Sequence, residues 1–359
     1  MDINYLLKKS ITLGASDLYI SVGARPTVRI GDKFEYIEDV RITAGLSKKM
    51  LIEISSESTY QKVVKIGEVD FTIEIGEYQR FRVNSYKQMG NIAISFRIIP
   101  NKIPTLDELF LPQIIKTYIQ KHSGLILITG STGSGKSTTL ASLVDLINSI
   151  QEKNIITLED PIEYVHKHKK SIVNQREIGT DTSNFNSGLV SSLRQSPDVI
   201  LIGEIRDRES MSTTLRAAET GHLVFSTLHT MGAAKSVDRI VDMYSPSEHY
   251  QIRAQLSTVC EGIVSQQLVP RENKLNACTK RIYSQSMVVA TEVMVTTQAI
   301  RNLIREGKTH QISNLIQTGS KYGMNTMDQS LVKLFLEGEI SEENLLLRCV
   351  NREFVEKIL

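Results

Sequence analysis

Along the first hundred residues, short apolar stretches switch between helical and strand spacing. NYLLKKSITLG places its apolar residues on one face of an amphipathic helix, whereas DLYISV, PTVRI, VDFTIEI and FRVNSYK read as strands. This pattern predicts a small α+β domain over residues 1–99. The stretch IIPNKIPTLDELFLP holds Pro100, Pro104 and Pro112, three of the eight prolines, and predicts an extended linker over 100–112. From Gln113 onward the pattern becomes regular. GLILITG, NIITLED, DVILIGEI and LVFSTLHT are apolar strands, separated by helical runs that start at Lys136, at SGLVSSLRQS and at RESMSTTLRAAETG. Such alternation predicts an α/β core over 113–295, built on a parallel sheet covered by helices. A polar segment, RENKLNACTKRIYSQS, precedes the strand-like MVVATEVMV. Residues 296–359 are expected to be helical throughout. There is no internal repeat and no low-complexity tract.

A chain of 359 residues, 41% of them hydrophobic, has material for two or three domains with real cores. Its 42 basic and 40 acidic residues leave a formal charge of +2, without the broad basic footprint of a nucleic-acid binder. Cys260, Cys278 and Cys349 are far apart and form no C-x-x-C pair, which argues against a four-cysteine zinc site and fits a reducing compartment. MDINYLLKKS lacks the charged start and apolar core of a leader, and no apolar run reaches membrane-spanning length. A cytoplasmic location is therefore expected.

One segment carries explicit chemistry. Between Gly130 and Ser137 the chain reads GSTGSGKS, a full G-x-x-x-x-G-K-[ST] match in strand–loop–helix context. Gly130, Ser131, Thr132, Gly133, Ser134, Gly135, Lys136, Ser137 and Thr138 are the expected nucleotide-binding residues. The glycines turn backbone N–H groups onto phosphates, Lys136 neutralises β/γ charge, and the Ser137 hydroxyl ligates Mg²⁺. ATP or GTP binding follows. Two acidic sites end later strands. In VILIGEIRD, Glu204 stands where a Walker B carboxylate would hold Mg²⁺ through water; a plain surface glutamate is the competing reading. In TLEDPIEYVH, Glu159, Asp160 and Glu163 all follow a strand, and any of the three suits the activation of a water molecule. His222 and His229 bracket LVFSTLHT, so they are expected at the two ends of one strand, with one of them near phosphate. The basic run YVHKHKKSIVNQR reads most simply as a solvated loop.

Taken in order and with these gaps, GSTGSGKST, LEDPIEY, LIGEIRD and TGHLVFSTLHT resemble the Walker A, Asp, Walker B and His boxes of the secretion ATPase superfamily. Within it, AIRNLIREGK and IQTGSKYGMNTMDQSL resemble the type IV pilus retraction motors, a PilT-like group. The resemblance runs from GASDLYIS to the last helices. It implies a RecA-like P-loop ATPase domain joined to a PAS-like N-terminal domain and a helical C-terminal region, assembled as a homohexamer with ATP between subunits. It further implies an ATP-hydrolysing motor for pilus retraction and twitching motility, with Mg²⁺ as cofactor. The motor would act on the pilus machinery and an inner-membrane platform protein, reaching the cytoplasmic face of the membrane through those partners only. By this resemblance Glu163 is the catalytic carboxylate, Glu204 the Mg²⁺-associated one, and His222 and His229 the His-box pair. Arg82 and Arg97 would reach a neighbouring subunit's nucleotide, and Arg194 and Arg206 are further candidates.

Two departures stand out. Tyr19 occupies the position after ASDL where the family usually carries histidine, and RENKLNACTKRIYSQS is longer and more polar than the common retraction motor has. Competing functions are a pilus-assembly or type II secretion ATPase, a nucleotide-binding regulatory protein without useful turnover, and a small-molecule kinase. The first typically carries a tetracysteine module that three scattered cysteines do not supply.

Overall fold

The computed structural model describes residues 2–31, 33–76, 79–99, 102–272 and 287–359. The chain divides into two units, Met1–Lys102 with Glu163–Val165, and Ile103–Ile162 with His166–Leu359. In the first, helix α1 (Ile3–Thr12) starts where the Asp2 side chain accepts the Asn4 N–H, and it buries Ile3, Leu6 and Leu7. Strands β1 (Asp17–Ile20), β2 (Thr27–Ile30) and β3 (Lys33–Tyr36) follow, then α2 (Ala44–Ile54), α3 (Glu57–Ile66), β4 (Glu68–Ile75), β5 (Gln79–Gln88) and β6 (Asn91–Ile98). The six strands form one antiparallel sheet in the order β3-β2-β1-β6-β5-β4. Phe81, Val83 and Phe96 point into a core shared with Leu6, Leu7, Met50, Leu51 and Val63 of the helices. Period-two geometry therefore sends Arg82 and Arg97 to the opposite, exposed face. Strand β3 was not anticipated because all four of its residues are exposed, which leaves no alternation to read.

The second unit is a seven-stranded sheet. Its elements are α4 (Ile114–Thr117), β7 (Gly124–Thr129), α5 (Lys136–Ile150), β8 (Asn154–Glu159), β9 (Ile172–Glu177), α6 (Phe185–Ser192), β10 (Val199–Ile202), α7 (Arg208–Glu219), β11 (Leu223–Leu228), α8 (Ala233–Val241), α9 (His249–Val259), β12 (Cys260–Pro270) and β13 (Met287–Val295). The order is β13-β12-β7-β11-β10-β8-β9, parallel except for the β12–β13 pair. Every residue of β7, β10 and β11 is buried, as strands covered on both faces must be. Leu125, Leu127, Ile200, Ile202 and Val224 face one core, packed by α7 to α9. Ile126, Ile128, Val199, Leu201 and Phe225 face the other, packed by Leu140, Leu143, Val144 and Ile147 of α5. The expected α/β class with a parallel sheet and a smaller N-terminal domain is what the chain adopts.

Several expectations need correction. Of the presumed linker, Pro100 and Asn101 lie outside the described residues, whereas Leu106 and Leu111 are buried in the second unit and Ser142 Oγ donates to the Pro104 carbonyl at 2.6 Å. That part is docked, not extended. Most of the RENKLNACTKRIYSQS segment, including Cys278, lies outside the described residues. The C-terminal region holds α10 (Gln298–Glu306), α11 (Ile312–Gln317), α12 (Met327–Leu336), α13 (Glu342–Arg348) and α14 (Arg352–Glu356). In α10 the apolar face is split: Ile300 and Ile304 are fully buried in the first core, Leu303 is half-buried against it, and Ala299 is exposed. Arg301 is tied to the end of α9 and to β12. Its Nη1 donates to the Ser257 and Thr258 carbonyls at 2.7 and 2.6 Å, and its Nη2 pairs with Glu261 at 2.5 Å.

Candidate functional site

The phosphate-binding loop leaves β7 at Gly130, whose φ is +144°. A Cβ there would stand 2.4 Å from the Gln266 carbonyl oxygen of β12 and 2.6 Å from Ser134 Oγ, so only glycine lets the loop close against its neighbour. Gly133 and Gly135 hold φ of +77° and +88°, and Gly135 starts α5 with no side chain capping it. A helix N-terminus behind a glycine turn presents backbone N–H groups and dipole to an anion. Lys136 is buried, and its Nζ donates to the Gly130 and Ser131 carbonyls at 2.9 and 2.8 Å, which fixes the ammonium within the loop. Ser134 Oγ is buried without a hydrogen-bond partner. Ser131, Thr132, Gly133 and Ser137 are exposed, and Thr138 is half-buried. Such a cradle suits a polyphosphate. Among the described residues no group of three or more His, Cys, Asp or Glu side chains forms a metal cage. Mg²⁺, which needs few protein ligands when phosphate oxygens supply the rest, fits the Ser137 hydroxyl and a single carboxylate.

That carboxylate is placed by the sheet. Residues 128–129 of β7 pair with 227–228 of β11, and Ile202 of β10 pairs with Ser226 of β11 and with Leu158 of β8. Gly130, His229, Glu204 and Glu159 thus line the carboxyl edge of one parallel sheet, the usual place for a ligand in an open α/β fold. Gly203 is pinned between strands, its N–H on the Leu158 carbonyl at 2.8 Å and its carbonyl accepting from Thr227 Oγ1 at 2.7 Å. Glu204 follows, with Oε2 3.2 Å from His229 Nε2 and Oε1 paired with Arg206. The hydrogen bond to Glu204 holds the Arg206 guanidinium above its ordinary pKa. Glu204 is only 14% exposed, so its contacts restrict it to this edge.

The three carboxylates after β8 separate. Glu159 Oε1 accepts from Thr157 Oγ1 at 2.6 Å and Gln175 Nε2 at 3.0 Å; Asp160 is exposed; Glu163 is exposed in the segment grouped with the first unit. His222 does not join His229. It stands before β11, at the sheet edge remote from the loop, where its Nδ1 lies 3.0 Å from the Ala217 carbonyl and 3.2 Å from Thr220 Oγ1. Seven residues of extended chain put the two histidines roughly 20 Å apart. Arg194 is exposed in the connection entering β10 from that same remote edge. Arg82 and Arg97 face each other directly across β5 and β6, and Arg97 Nε donates to Asp17 Oδ1 at 3.1 Å.

The basic run is exposed from Lys167 to Lys170, as its composition suggests, but it is tethered. Lys169 Nζ reaches both Asp145 oxygens at 2.7 and 2.8 Å and Ser149 Oγ at 2.9 Å, and His168 Nδ1 accepts the Val173 N–H. His166 is buried, and burial pushes its imidazole down to about 4. Other site residues gave no signal at all. Gln175 accepts the His166 N–H at 2.7 Å while donating to Glu159, and buried Gln266 donates to Thr139 Oγ1 at 2.9 Å in the first turn of α5. Polar residues inside strands interrupt the apolar pattern, and only the fold shows what they touch.

The model of the family described as type II/IV secretion system protein matches residues 2–347. The type IV pilus retraction ATPase PilT of Pseudomonas aeruginosa is 42% identical over 344 residues, 96% of this chain and 97% of that protein. A twitching motility protein of Neisseria gonorrhoeae is 41% identical, covering 91% of this chain and 85% of its own length. A crystal structure of the pilus retraction motor PilT with bound ADP superposes with a TM-score of 0.91 at 42% identity, over 99% of each chain.

Proposed function

The chain belongs to the type II/IV secretion system protein family, and from that premise we propose that it is the ATP-hydrolysing motor of type IV pilus retraction. The observation that carries this reading is similarity over nearly the whole of a retraction ATPase, C-terminal helices included, and not over the ATPase core alone. The phosphate-binding loop holds the nucleotide, with Lys136 against its β/γ oxygens and the glycine-turned backbone as fixed donors. Ser137 and Glu204 would hold Mg²⁺ there, and the ion when bound would supply charge neutralisation to the phosphoryl oxygens. His229 steadies Glu204 on one side and Arg206 does so on the other. Glu163 takes the proton of the attacking water.

Arg82 and Arg97 act on the nucleotide of an adjacent subunit in a homohexamer. Their support is electrostatic: two guanidinium groups opposite each other on antiparallel strands repel, and Asp17 offsets only part of that charge, so an anion between them is favoured. No described helix is long and apolar enough to cross a membrane, and the motor works at the cytoplasmic face through its platform partner. Disrupting the gene should leave cells with more pili that fail to retract, and a Lys136→Ala copy should not restore retraction. Loss of pili altogether would make the chain an assembly ATPase instead.

A further inference from the structure

Two helix N-termini lie against one carboxylate on β13, two strands over from β7 and the phosphate-binding loop that follows it. Glu292 of β13 stands opposite Ser265 of β12, and both side chains meet the start of α8. Ser265 Oγ accepts the Gly232 N–H at 2.9 Å, and Glu292 Oε1 accepts the Ala233 N–H at 2.8 Å. The span from there back to His229 is short and braced. Thr230 Oγ1 lies 2.6 Å from Ser236 Oγ, which donates to the Gly232 carbonyl at 2.8 Å. Met327, the first residue of α12, stands beside the same carboxylate, with its N–H favouring the ionised form. Asn325, two residues earlier, pairs with Val293 in both directions at 2.9 and 3.3 Å, so the head of α12 is bound along β13. Burial and the Asp328 charge push the Glu292 carboxyl up, while the two N–H donors and Lys235 pull it down. A group buried at that cost is kept in register by its partners.

We propose that Glu292 is a positioning residue for ATP hydrolysis, tying the His229 loop to the start of α12 so that the Glu204–His229 contact and the C-terminal helices shift together. Nothing in the phosphate-binding chemistry requires this link. It rests on the reading that His229 serves the nucleotide, and it adds the route by which a pulling region downstream of β13 senses the state of that site. The residues on either side of Glu292 are themselves bonded to the head of α12, Val293 to Asn325 and the Thr291 N–H to Ser330 Oγ at 3.1 Å, so a pull on Glu292 is felt there.

The test is a kinetic cycle on the full chain, with steady-state ATP hydrolysis as the readout. Glu292→Ala should lower kcat about 10-fold or more and leave KM for ATP within about twofold, since small displacements of a catalytic contact cost rate before they cost binding. In a His229→Ala background the same change should alter kcat by less than about twofold, because the group it acts through is gone. Equal losses in both backgrounds overturn the proposal and leave the His229 reading intact. A His229→Ala variant with parental kcat sinks the reading of the site, and the inference with it. Glu292→Gln keeps the side-chain shape, should fold where Glu292→Ala does not, and should show the same non-additivity with a smaller loss. Deuterium exchange supplies the structural arm. In both variants the peptides containing Ala233 and Met327 should exchange faster, and unchanged protection at Met327 would overturn the bridge to α12.

Discussion

Replacing Arg301 by alanine separates packing from function in the AIRNLIRE helix. The guanidinium carries two of the last carbonyls of α9, Ser257 and Thr258, and pairs with Glu261, whose side chain is 15% exposed. Hydrogen bonds from a charged donor contribute about 1.5–3 kcal/mol each, and a cation at a helix C-terminus adds about 0.3–1 kcal/mol. These contributions overlap, because one group makes all of them. Lys121, 2.7 Å from Glu261 Oε2, would also keep that carboxylate partly paired. A loss of about 3 kcal/mol is expected, which in a unit of this size lowers Tm by about 6–12 °C. Arg305, four residues on, is exposed, and its removal should cost under about 0.5 kcal/mol. Scanning calorimetry of Arg301→Ala, Arg301→Lys and Arg305→Ala reads the difference. Arg301→Lys should recover only part of the loss, since an ammonium cannot span three acceptors in a fork. Equal shifts for Arg301→Ala and Arg305→Ala would refute the structural role. If Arg305 belongs to the surface that engages the pilus machinery, Arg305→Ala should keep ATPase activity and ring formation within a few-fold while retraction in cells is lost.

Three further outcomes follow from the site. Glu163→Gln should bind ATP nearly as the parent does and turn over about 10²-fold more slowly, the scale of a lost general base; normal turnover would pass the role to Glu159 or Asp160. Rings mixed from Arg97→Ala and Lys136→Ala chains should regain activity that neither parent shows, and mixtures that exchange subunits without recovery would count against action between subunits. His166 should make the protein acid-sensitive. Its folded pKa, about 4, lies below the ordinary value near 6.5, so the unfolded chain binds the extra proton between those pH values and stability falls as pH drops through that window. From pH 7.5 to 4.5 the loss is about 2–3 kcal/mol, and urea titrations of a His166→Gln variant should lack that component.

Legibility of the chain followed burial. Strands β7, β10 and β11 each carry an unbroken apolar run of three or more residues because helices cover both faces, and they were readable directly, as were the loop glycines and Lys136. Strand β12 was not, because Ser265, Gln266 and Gln267 break its apolar run while sitting buried at 1%, 0% and 7% exposure. Those polar groups are there to hold the Gly232 N–H and Thr139 Oγ1, partners 33 and 127 residues distant in sequence. No local spacing reports such a pairing. The HKHKK run is exposed from Lys167 to Lys170, as its composition suggests; what composition does not report is that Asp145 and Ser149 on α5 anchor Lys169. In AIRNLIRE, Ile300 and Ile304 reach the core while Ala299 stays exposed, and local spacing does not say where the core ends.

The two histidines of TGHLVFSTLHT pose the sharpest geometric question about the assembly. Both were grouped by one sequence box, yet β11 runs its full length between them, and a rigid buried strand cannot bring its two ends to one phosphate. His229 shares an edge with Gly130 and contacts Glu204, so on the proposed function the nucleotide it would serve is that of its own chain. His222 sits where the Gly124 N–H meets its carbonyl and its ring meets Ala217, so any nucleotide it reaches belongs to another chain. Mixed rings distinguish the two. His229→Ala combined with Lys136→Ala should show no recovery, because every site then lacks one of two groups that must come from the same chain. His222→Ala combined with Lys136→Ala should recover activity, because a site with an intact loop can draw its second histidine from the neighbour. Recovery in the first mixture would refute the same-chain assignment of His229. Failure in the second, with exchange demonstrated and His222→Ala inactive alone, would make His222 a fastener of the turn between α7 and β11 and remove it from the chemistry.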